Sequence, residues 1–198
     1  MTTIINKKFL LTNKINNHKK IFNIIINQIP RSIFAILDVS FFKNLIKDKI
    51  IEVFVIKKEN KIASVINVIT NNNYSILKKK IFFYFLLKPH RLFLNIYFVF
   101  AMFDRSLSNI KFVKDNNYLH LLHLVIFKKC FKNLSLKKKD EIVNFFLTKI
   151  IKKYGARYFY LCYEKDNLRA YNYYKRNKFK FYAKSKNTIF AKKRINNL

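Results

Sequence analysis

The chain has 198 residues, 51% of them hydrophobic and 17% aromatic, so it can bury the core of one domain and does not have the composition of a disordered chain. Its 41 Lys and Arg outnumber 10 Asp and Glu, which gives a formal net charge of +31. A surface of this charge attracts anions, whether nucleic acid, acidic lipid or cofactor phosphates. The abundant residues are those of A/T-rich codons and glycine occurs once, so compositional drift is the alternative explanation of the charge.

The two cysteines, Cys130 and Cys162, are too few and too far apart to predict a disulfide framework or a zinc site, and no metal is expected. The N-terminus lacks the order of basic, apolar and small residues that is typical of a signal peptide. We therefore expect reduced thiols and a location in the cytoplasm, including the inner surface of the membrane.

The first third of the chain predicts two helices followed by a β-hairpin. Runs of β-branched residues indicate the two strands, and a polar turn joins them. The predicted ranges are a helix over 15–28 that stops at Pro30, a helix over Val39–Lys47, strands over Ile50–Lys57 and Ile62–Thr70, the turn Lys58–Lys61 and a closing loop Thr70–Asn73.

The middle of the chain contains two apolar runs, Ile81–Leu87 and Leu92–Phe103, which flank the basic break Lys88–Arg91. Both are shorter than the roughly 18 residues that a membrane-spanning helix needs. We predict two helices within a helical insertion over 75–103. This insertion is either a packing element or lid over an acceptor site, or an interfacial anchor over 76–103 that contacts an anionic membrane.

The last third alternates strands and helices. Ile142, Phe146 and Ile150 place apolar side chains on one face of a long helix, and Gly155 follows it where a C-terminal capping glycine is expected. The predicted ranges are strand Tyr118–Phe127, helix Lys138–Tyr154, strand Tyr158–Tyr163, helix Asn167–Arg176, and a hairpin of Phe179–Tyr182 and Thr188–Ala191.

Asn167, Ala170, Tyr174 and Phe179 have the spacing of the block Asn-x-x-Ala-x-x-x-Tyr-x-x-x-Gly-Phe, with Lys178 at the glycine. This block resembles the last conserved block of the GNAT superfamily of acyl-CoA-dependent N-acetyltransferases. The resemblance covers residues 50–70 and 118–192. It implies one α/β (α+β) domain over 1–198, with a mixed, mostly antiparallel central sheet flanked by helices.

The same resemblance implies roles for site residues. Tyr174 would protonate the departing thiolate of coenzyme A, and Asn167 would either bind backbone beside the cofactor or cap its helix. The family's Arg/Gln-x-x-Gly-x-Gly/Ala loop falls on Lys132, Ser135 and Lys137, or in a second register on Ser135–Asp140. The implied acetyl-CoA contacts are Val125, Ile126, Phe127, Lys132, Asn133, Leu134, Ser135, Leu136, Lys137 and Asn167.

The predicted cofactor loop contains no glycine. Either Lys132 and Lys137–Lys139 compensate by contacting phosphates, or the fold survives as a scaffold without catalysis. For the general base, some family members carry a histidine at the position of His123, and an imidazole with a pKa of about 6.5 suits that task. The alternative is a histidine with a structural role in the core. Strand alternation predicts His120 on the opposite face, and Glu164 and Asp38 are reserve candidates.

The sequence thus predicts transfer of an acetyl group from acetyl-CoA to an amine, such as an amino sugar, another small amine or a protein N-terminus. The alternatives are a non-enzymatic basic module that binds anionic membrane or nucleic acid, and a catalytically dead GNAT fold. Nucleic acid is disfavoured because the sequence contains no RNA-recognition, zinc-finger or helix-turn-helix signature.

Overall fold

The computed structural model describes residues 9–30, 32–93 and 117–194. These segments contain strands and helices, and two short 3-10 turns, Ile33–Ala35 and Lys128–Phe131, join elements. The elements are β1 (Phe9–Thr12), α1 (His18–Gln28), α2 (Val39–Lys47), β2 (Glu52–Lys58), β3 (Lys61–Thr70), α3 (Asn71–Leu87), α4 (His90–Phe93), β4 (Tyr118–Ile126), α5 (Leu136–Lys153), β5 (Tyr158–Glu164), α6 (Leu168–Arg176), β6 (Lys180–Lys184) and β7 (Thr188–Arg194).

The strands form a seven-stranded sheet in the order β1-β2-β3-β4-β5-β7-β6. Every neighbouring pair is antiparallel except β4 and β5, which run parallel. Helices cover both faces of this sheet. The predicted mixed, mostly antiparallel sheet flanked by helices is therefore confirmed.

The two faces of the sheet carry separate apolar cores. Phe146 and Ile150 of α5 pack on one face against Phe159 of β5. On the other face, Ile25 of α1 and Phe42 of α2 belong to a second cluster. Since both faces are covered, the central strands β2 and β3 are rich in buried Val and Ile rather than strictly alternating.

The β2–β3 hairpin is closed by Glu59 and Asn60, whose φ angles are 49° and 62°. Two successive residues with positive φ make the type I′ geometry that matches the twist of a two-residue hairpin loop. The predicted turn is therefore confirmed.

A β-bulge interrupts β4. Asn67 of β3 pairs with His123, but the next residue, Val68, pairs with Leu121, so Leu122 is an extra residue in β4. Past the bulge the side-chain alternation shifts by one residue. Leu121 and Leu124 consequently pack into the same core, on the α5 side of the sheet.

The strands β4 and β5 pair only over Tyr118–His120 and Tyr158–Tyr160. Beyond these residues β4 continues to Ile126 and β5 continues to Glu164 without pairing to each other. The sheet is therefore split at its only parallel junction among the described strands, and the split opens toward the carboxyl ends of both strands.

Two predictions about these elements are wrong. The first helix begins at His18 rather than at residue 15, because the side chain of Asn17 caps it by accepting a hydrogen bond from the Lys20 amide. The predicted loop Thr70–Asn73 does not exist, since α3 starts at Asn71 directly after β3. The four-residue edge strand β1 was not predicted.

The predicted insertion over 75–103 is described only in part. Its first run lies in α3, which ends at Leu87, and Pro89 separates α3 from the short α4. Residues 94–103 of the second predicted helix lie outside the described residues. Among the helices that are described, none combines the length and the apolar character needed to cross a membrane.

Candidate active site

A cleft with a volume of about 1120 Å³ lies at the split between β4 and β5. Its walls come from the chain around Gln28–Ser32, α3, β4, the start of α5, the end of β5, and α6. The predicted residues His123, Val125, Ile126, Leu136, Asn167 and Tyr174 line it. The structure thus brings together residues that are up to 51 positions apart in the sequence.

His123 is 7% exposed and is held between two polar side chains. Its Nε2 lies 2.5 Å from Ser32 Oγ, and its Nδ1 lies 3.2 Å from Asn67 Nδ2. The ring of Phe34 packs at 4.9 Å between centroids. Both ring nitrogens are therefore oriented, and the nitrogen toward Ser32 points to a residue that itself lines the cleft.

His120 lies on the same side of β4 as His123, so the expectation that it faces the opposite side is wrong. The bulge at Leu122 supplies one extra residue between them, which cancels the usual alternation. The His120 ring stacks on Tyr74 of α3 at 5.1 Å with an interplanar angle of 10°. The cleft therefore has two imidazoles on one wall, and sequence alternation could not have found the second.

Tyr174 of α6 lines the cleft within an aromatic environment. Its ring lies 5.4 Å from the ring of Tyr163 and 5.0 Å from that of Phe179. Burial, and to a lesser extent the proximity of Cys162 and Tyr163, raises the pKa of Tyr174 above its ordinary value. The phenol therefore keeps its proton at neutral pH and can act as a donor.

Two further tyrosines, Tyr163 and Tyr173, line the cleft but were not singled out from the sequence. Their hydroxyls are buried and have no hydrogen-bond partner within the described part of the chain. Burial raises the pKa of Tyr163 to about 12, and burial also raises the pKa of Tyr173 well above its ordinary value. Since buried polar groups are almost always hydrogen-bonded, these hydroxyls fit a ligand that offers acceptor atoms.

The predicted cofactor loop follows β4 as the 3-10 turn Lys128–Phe131 and leads to Ser135. Ser135 is the N-cap of α5, and its hydroxyl accepts a hydrogen bond from the Lys138 amide at 3.3 Å. The first amides of a helix have no intrahelical acceptor and favour anions. Lys128 and Lys139 line the cleft beside this helix end.

The loop needs no glycine for its backbone conformation. The described residues with positive φ are Lys49, Glu59, Asn60, Gly155 and Lys178, and none of these lies in the loop. The predicted contacts Phe127, Lys132, Asn133, Leu134, Ser135 and Lys137 lie along the loop but do not line the cleft.

Asn167 is the N-cap of α6, because its Oδ1 accepts a hydrogen bond from the Ala170 amide at 3.0 Å. Of the two reserve bases, Glu164 lines the cleft and Asp38 does not. Asp38 instead caps α2, accepts a hydrogen bond from Tyr84 and pairs with Lys88 at 2.8 Å. Asp38 thus has a structural role.

Among the described residues, no cluster of three or more His, Cys, Asp or Glu side chains could hold a metal ion.

No protein-family profile matches the sequence, and no curated protein matches it. Solved structures do match it over nearly its whole length. A GNAT-family acetyltransferase from Streptococcus agalactiae superposes with a TM-score of 0.60 at 9% identity and covers 96% of each chain. This chain has the GNAT fold.

Two further structures with the GNAT fold carry ligands. The N-acetyltransferase PseH from Campylobacter jejuni, in complex with acetyl coenzyme A, has a TM-score of 0.54 at 13% identity and covers 95% of this chain and 99% of its own. The spermidine N-acetyltransferase from Vibrio cholerae, in complex with CoA and spermine, has a TM-score of 0.56 at 10% identity and covers 96% of each chain. The resemblance read from the sequence is thus confirmed for the fold.

The GNAT-like block itself folds as a helix and turn. Lys178, which stands at the block's glycine, has a φ of 60° and ends α6 in the left-handed conformation. The Phe179 amide then donates a hydrogen bond to the Tyr174 carbonyl, and the Lys178 amide donates one to the Lys175 carbonyl. This is the Schellman pattern that glycine usually forms, so lysine preserves the turn here.

Proposed function

We propose that this chain transfers an acetyl group from acetyl-CoA to the amine of a small acceptor. The observation that carries the proposal is the cleft at the β4–β5 split, which is lined both by His123 of β4 and by Tyr174 of α6. The cleft thus offers a proton acceptor and a proton donor, as acyl transfer from a thioester to an amine requires.

The residues that line the cleft fit acetyl-CoA. Beyond His120, the edge of β4 that faces β5 has no strand partner, so its backbone groups can pair with the amides of the pantetheine arm, as in strand addition. The unpartnered hydroxyls of Tyr163 and Tyr173 can donate to its carbonyl oxygens. The amino end of α5, with Lys128 and Lys139, suits the phosphates.

In the proposed reaction the neutral amine attacks the thioester carbonyl, so a C–N bond forms and the C–S bond breaks. His123 takes the ammonium proton through the Ser32 hydroxyl, and Tyr174 gives its proton to the departing thiolate. The Ile126 amide at the end of β4 stabilises the oxyanion, since the Phe127 amide already donates to the Ala63 carbonyl. Solvent then returns the proton from His123 to the tyrosinate.

The relay requires a specific form of His123. If the Asn67 amide is turned so that Oδ1 accepts from Nδ1–H, Nε2 presents its lone pair to Ser32. This orientation employs Asn67 Oδ1, which otherwise has no partner among the described residues. Asn67 would therefore select the tautomer in which His123 can act as a base.

The acceptor end of the cleft favours a neutral or anionic amine over a polyamine. Its wall from Gln28 to Ser32 and along α3 includes Tyr74 and Lys78 but no carboxylate among the described residues. A polycation would meet positive charge there, whereas an amino sugar, with or without a phosphate, can stack on an aromatic ring. We propose an acceptor of this class.

Binding of acetyl-CoA tests the proposal first. Isothermal calorimetry of the whole protein should give one site with micromolar affinity, and acetyl-CoA should raise the melting temperature more than ADP does. No heat and no thermal shift at about 1 mM ligand would contradict the proposal, because ligand at many times Kd must stabilise the protein.

Turnover tests the chemistry. Release of CoA thiol should accelerate when neutral amino sugars are added and should stay at the background rate with spermine. Binding of acetyl-CoA without turnover for any amine would instead favour the catalytically dead GNAT fold.

A further inference from the structure

The helix α3 is apolar on two faces, of which only one is buried. Leu77, Ile81, Tyr84 and Phe85 enter the core shared with α1 and α2. The opposite side, named here the α3 outer face, is exposed. It consists of Ile76, Phe82, Phe83, Leu86 and Leu87, and the last four are between 59% and 83% exposed.

The residues of the α3 outer face form a continuous stripe. Phe83 follows Ile76 by seven residues and precedes Leu87 by four, and Phe82 precedes Leu86 by four, so all five project from one side of the helix. Single exposed apolar residues are common, but a contiguous group of two phenylalanines and three aliphatic side chains marks an interaction surface.

Positive charge predominates in α3 and in α2, which packs beside it. The segments 38–49 and 71–91, which contain α2 and α3, include eight Lys and Arg but only two acidic residues. Both acids are already engaged, since Asp48 pairs with Lys80 at 2.7 Å and Asp38 pairs with Lys88 at 2.8 Å. Lys79 lies exposed within the stripe itself. The remaining cations therefore favour an anionic partner.

We propose that the α3 outer face docks the protein on the surface of an anionic lipid bilayer. The aromatic and aliphatic side chains would insert at the boundary between headgroups and acyl chains, and the surrounding lysines would contact acidic headgroups. The helix lies in the interface rather than crossing it, in keeping with the absence of a spanning helix among the described residues.

Other occupants fit less well. A second copy would bring two chains of +31 together, which opposes association. A nucleic acid would use the lysines but would leave Phe83, Leu86 and Leu87 in water. A bilayer with acidic lipid satisfies both features.

Docking also orients the cleft. Phe82 and Lys78 lie on α3 and line the acceptor end of the cleft, so the docked protein presents that end to the lipid. The docking itself does not depend on the proposed acyl transfer, and the two proposals can fail separately.

Sedimentation with vesicles tests the inference. The whole protein should bind phosphatidylcholine vesicles that contain about 30% phosphatidylserine and should bind pure phosphatidylcholine far more weakly. The double variant Phe83→Ser/Leu87→Ser removes apolar side chains that do not line the cleft. It should bind at least about tenfold more weakly, because each substitution removes the favourable free energy of transferring a large apolar side chain from water to the lipid interface.

The matched control is Leu10→Ser, which changes an apolar side chain that is 64% exposed on β1. It should bind the acidic vesicles like the unmodified protein. Circular dichroism and thermal melts establish that all variants are folded, and Lys79→Gln provides a milder second test, with reduced binding only to the acidic vesicles.

Three results would overturn the inference: no binding of the unmodified protein to acidic vesicles, unchanged binding of the double variant, or equal losses in the control. If gel filtration shows that Phe83→Ser/Leu87→Ser abolishes a dimer while vesicle binding is unchanged, the face binds a second copy. If RNA binding depends on Phe83 and Leu87 while vesicle binding does not, the partner is nucleic acid.

Discussion

Ser32 Oγ and His123 Nε2 lie 2.5 Å apart across the wall of the cleft, although 91 positions separate the two residues in the sequence. Ser32 belongs to the chain that follows α1, and His123 lies in β4 directly after the bulge. Both side chains are buried and both line the cleft. The contact therefore joins the imidazole to the acceptor end of the site.

Replacement of Ser32 by alanine should lower turnover about tenfold and shift the pH profile of kcat/KM, because His123 loses its relay to the amine. The affinity for acetyl-CoA should be unchanged. Steady-state kinetics across pH and calorimetry measure the two effects. The control is Ser40→Ala at an exposed position on α2, and a relay through Ser32 is excluded if both variants show the same pH profile.

Replacement of Tyr174 by phenylalanine should reduce kcat by about a hundredfold, since the thiolate would leave without a proton. Acetyl-CoA should bind nearly as before because the ring stays in place. The matched control is Tyr171→Phe, on the same helix but outside the cleft lining. Equal activity of Tyr174→Phe and the unmodified protein would rule out the assigned role.

Replacement of Lys178 by glycine should stabilise the protein by about 0.5–1 kcal/mol. The left-handed conformation costs an L-residue about 1–2 kcal/mol, and the greater freedom of glycine in the unfolded chain offsets part of the gain. Urea titration with Lys178→Ala as the comparison measures the difference. Alanine keeps the backbone penalty, so a gain of the same size for alanine would point to the lysine charge instead.

Replacement of Asp38 by alanine should cost about 1–2 kcal/mol at neutral pH, because α2 loses its cap and Lys88 loses its partner. Burial raises the pKa of Asp38, but the hydrogen bonds from Lys88, the Phe41 amide and Tyr84 outweigh it and leave the pKa below its ordinary value.

Because the folded-state pKa of Asp38 is depressed, its charge contributes stability above the unfolded pKa of about 3.9, and the contribution is lost as the pH falls through the folded value. The difference between Asp38→Ala and the unmodified protein should therefore narrow below about pH 4. Urea unfolding between neutral and acid pH checks this, and a constant difference would mean that the cap alone acts.

Local patterns were enough to predict most elements. β-Branched runs predicted β2 and β3, the apolar stripe of α5 predicted its core contacts, and the block around Tyr174 predicted α6. These features depend on residues close in the sequence. The short edge strand β1 escaped prediction because it relies on pairing with β2, which lies 40 or more residues later.

The candidate site was less predictable, since its contacts are long-range. No local pattern links Ser32 or Asn67 to His123, and the buried hydroxyls of Tyr163 and Tyr173 resemble any core tyrosine. The bulge at Leu122 left no signature in the composition of β4. The predicted roles of His123 and Tyr174 stay predictions until they are tested by mutation.

Because of the bulge, the side of the sheet on which His123 lies depends on the number of residues in β4 and not only on their identity. If β4 kept all its residues but paired with β3 without the bulge, every side chain after Leu121 would turn to the other side of the sheet, and the imidazole of His123 would point toward the Phe146 and Ile150 side. A point substitution in β4 changes one side chain, whereas loss of the bulge would change the side of the sheet for every later β4 residue. The chemistry of this cleft is thus specified in part by one extra backbone unit in β4.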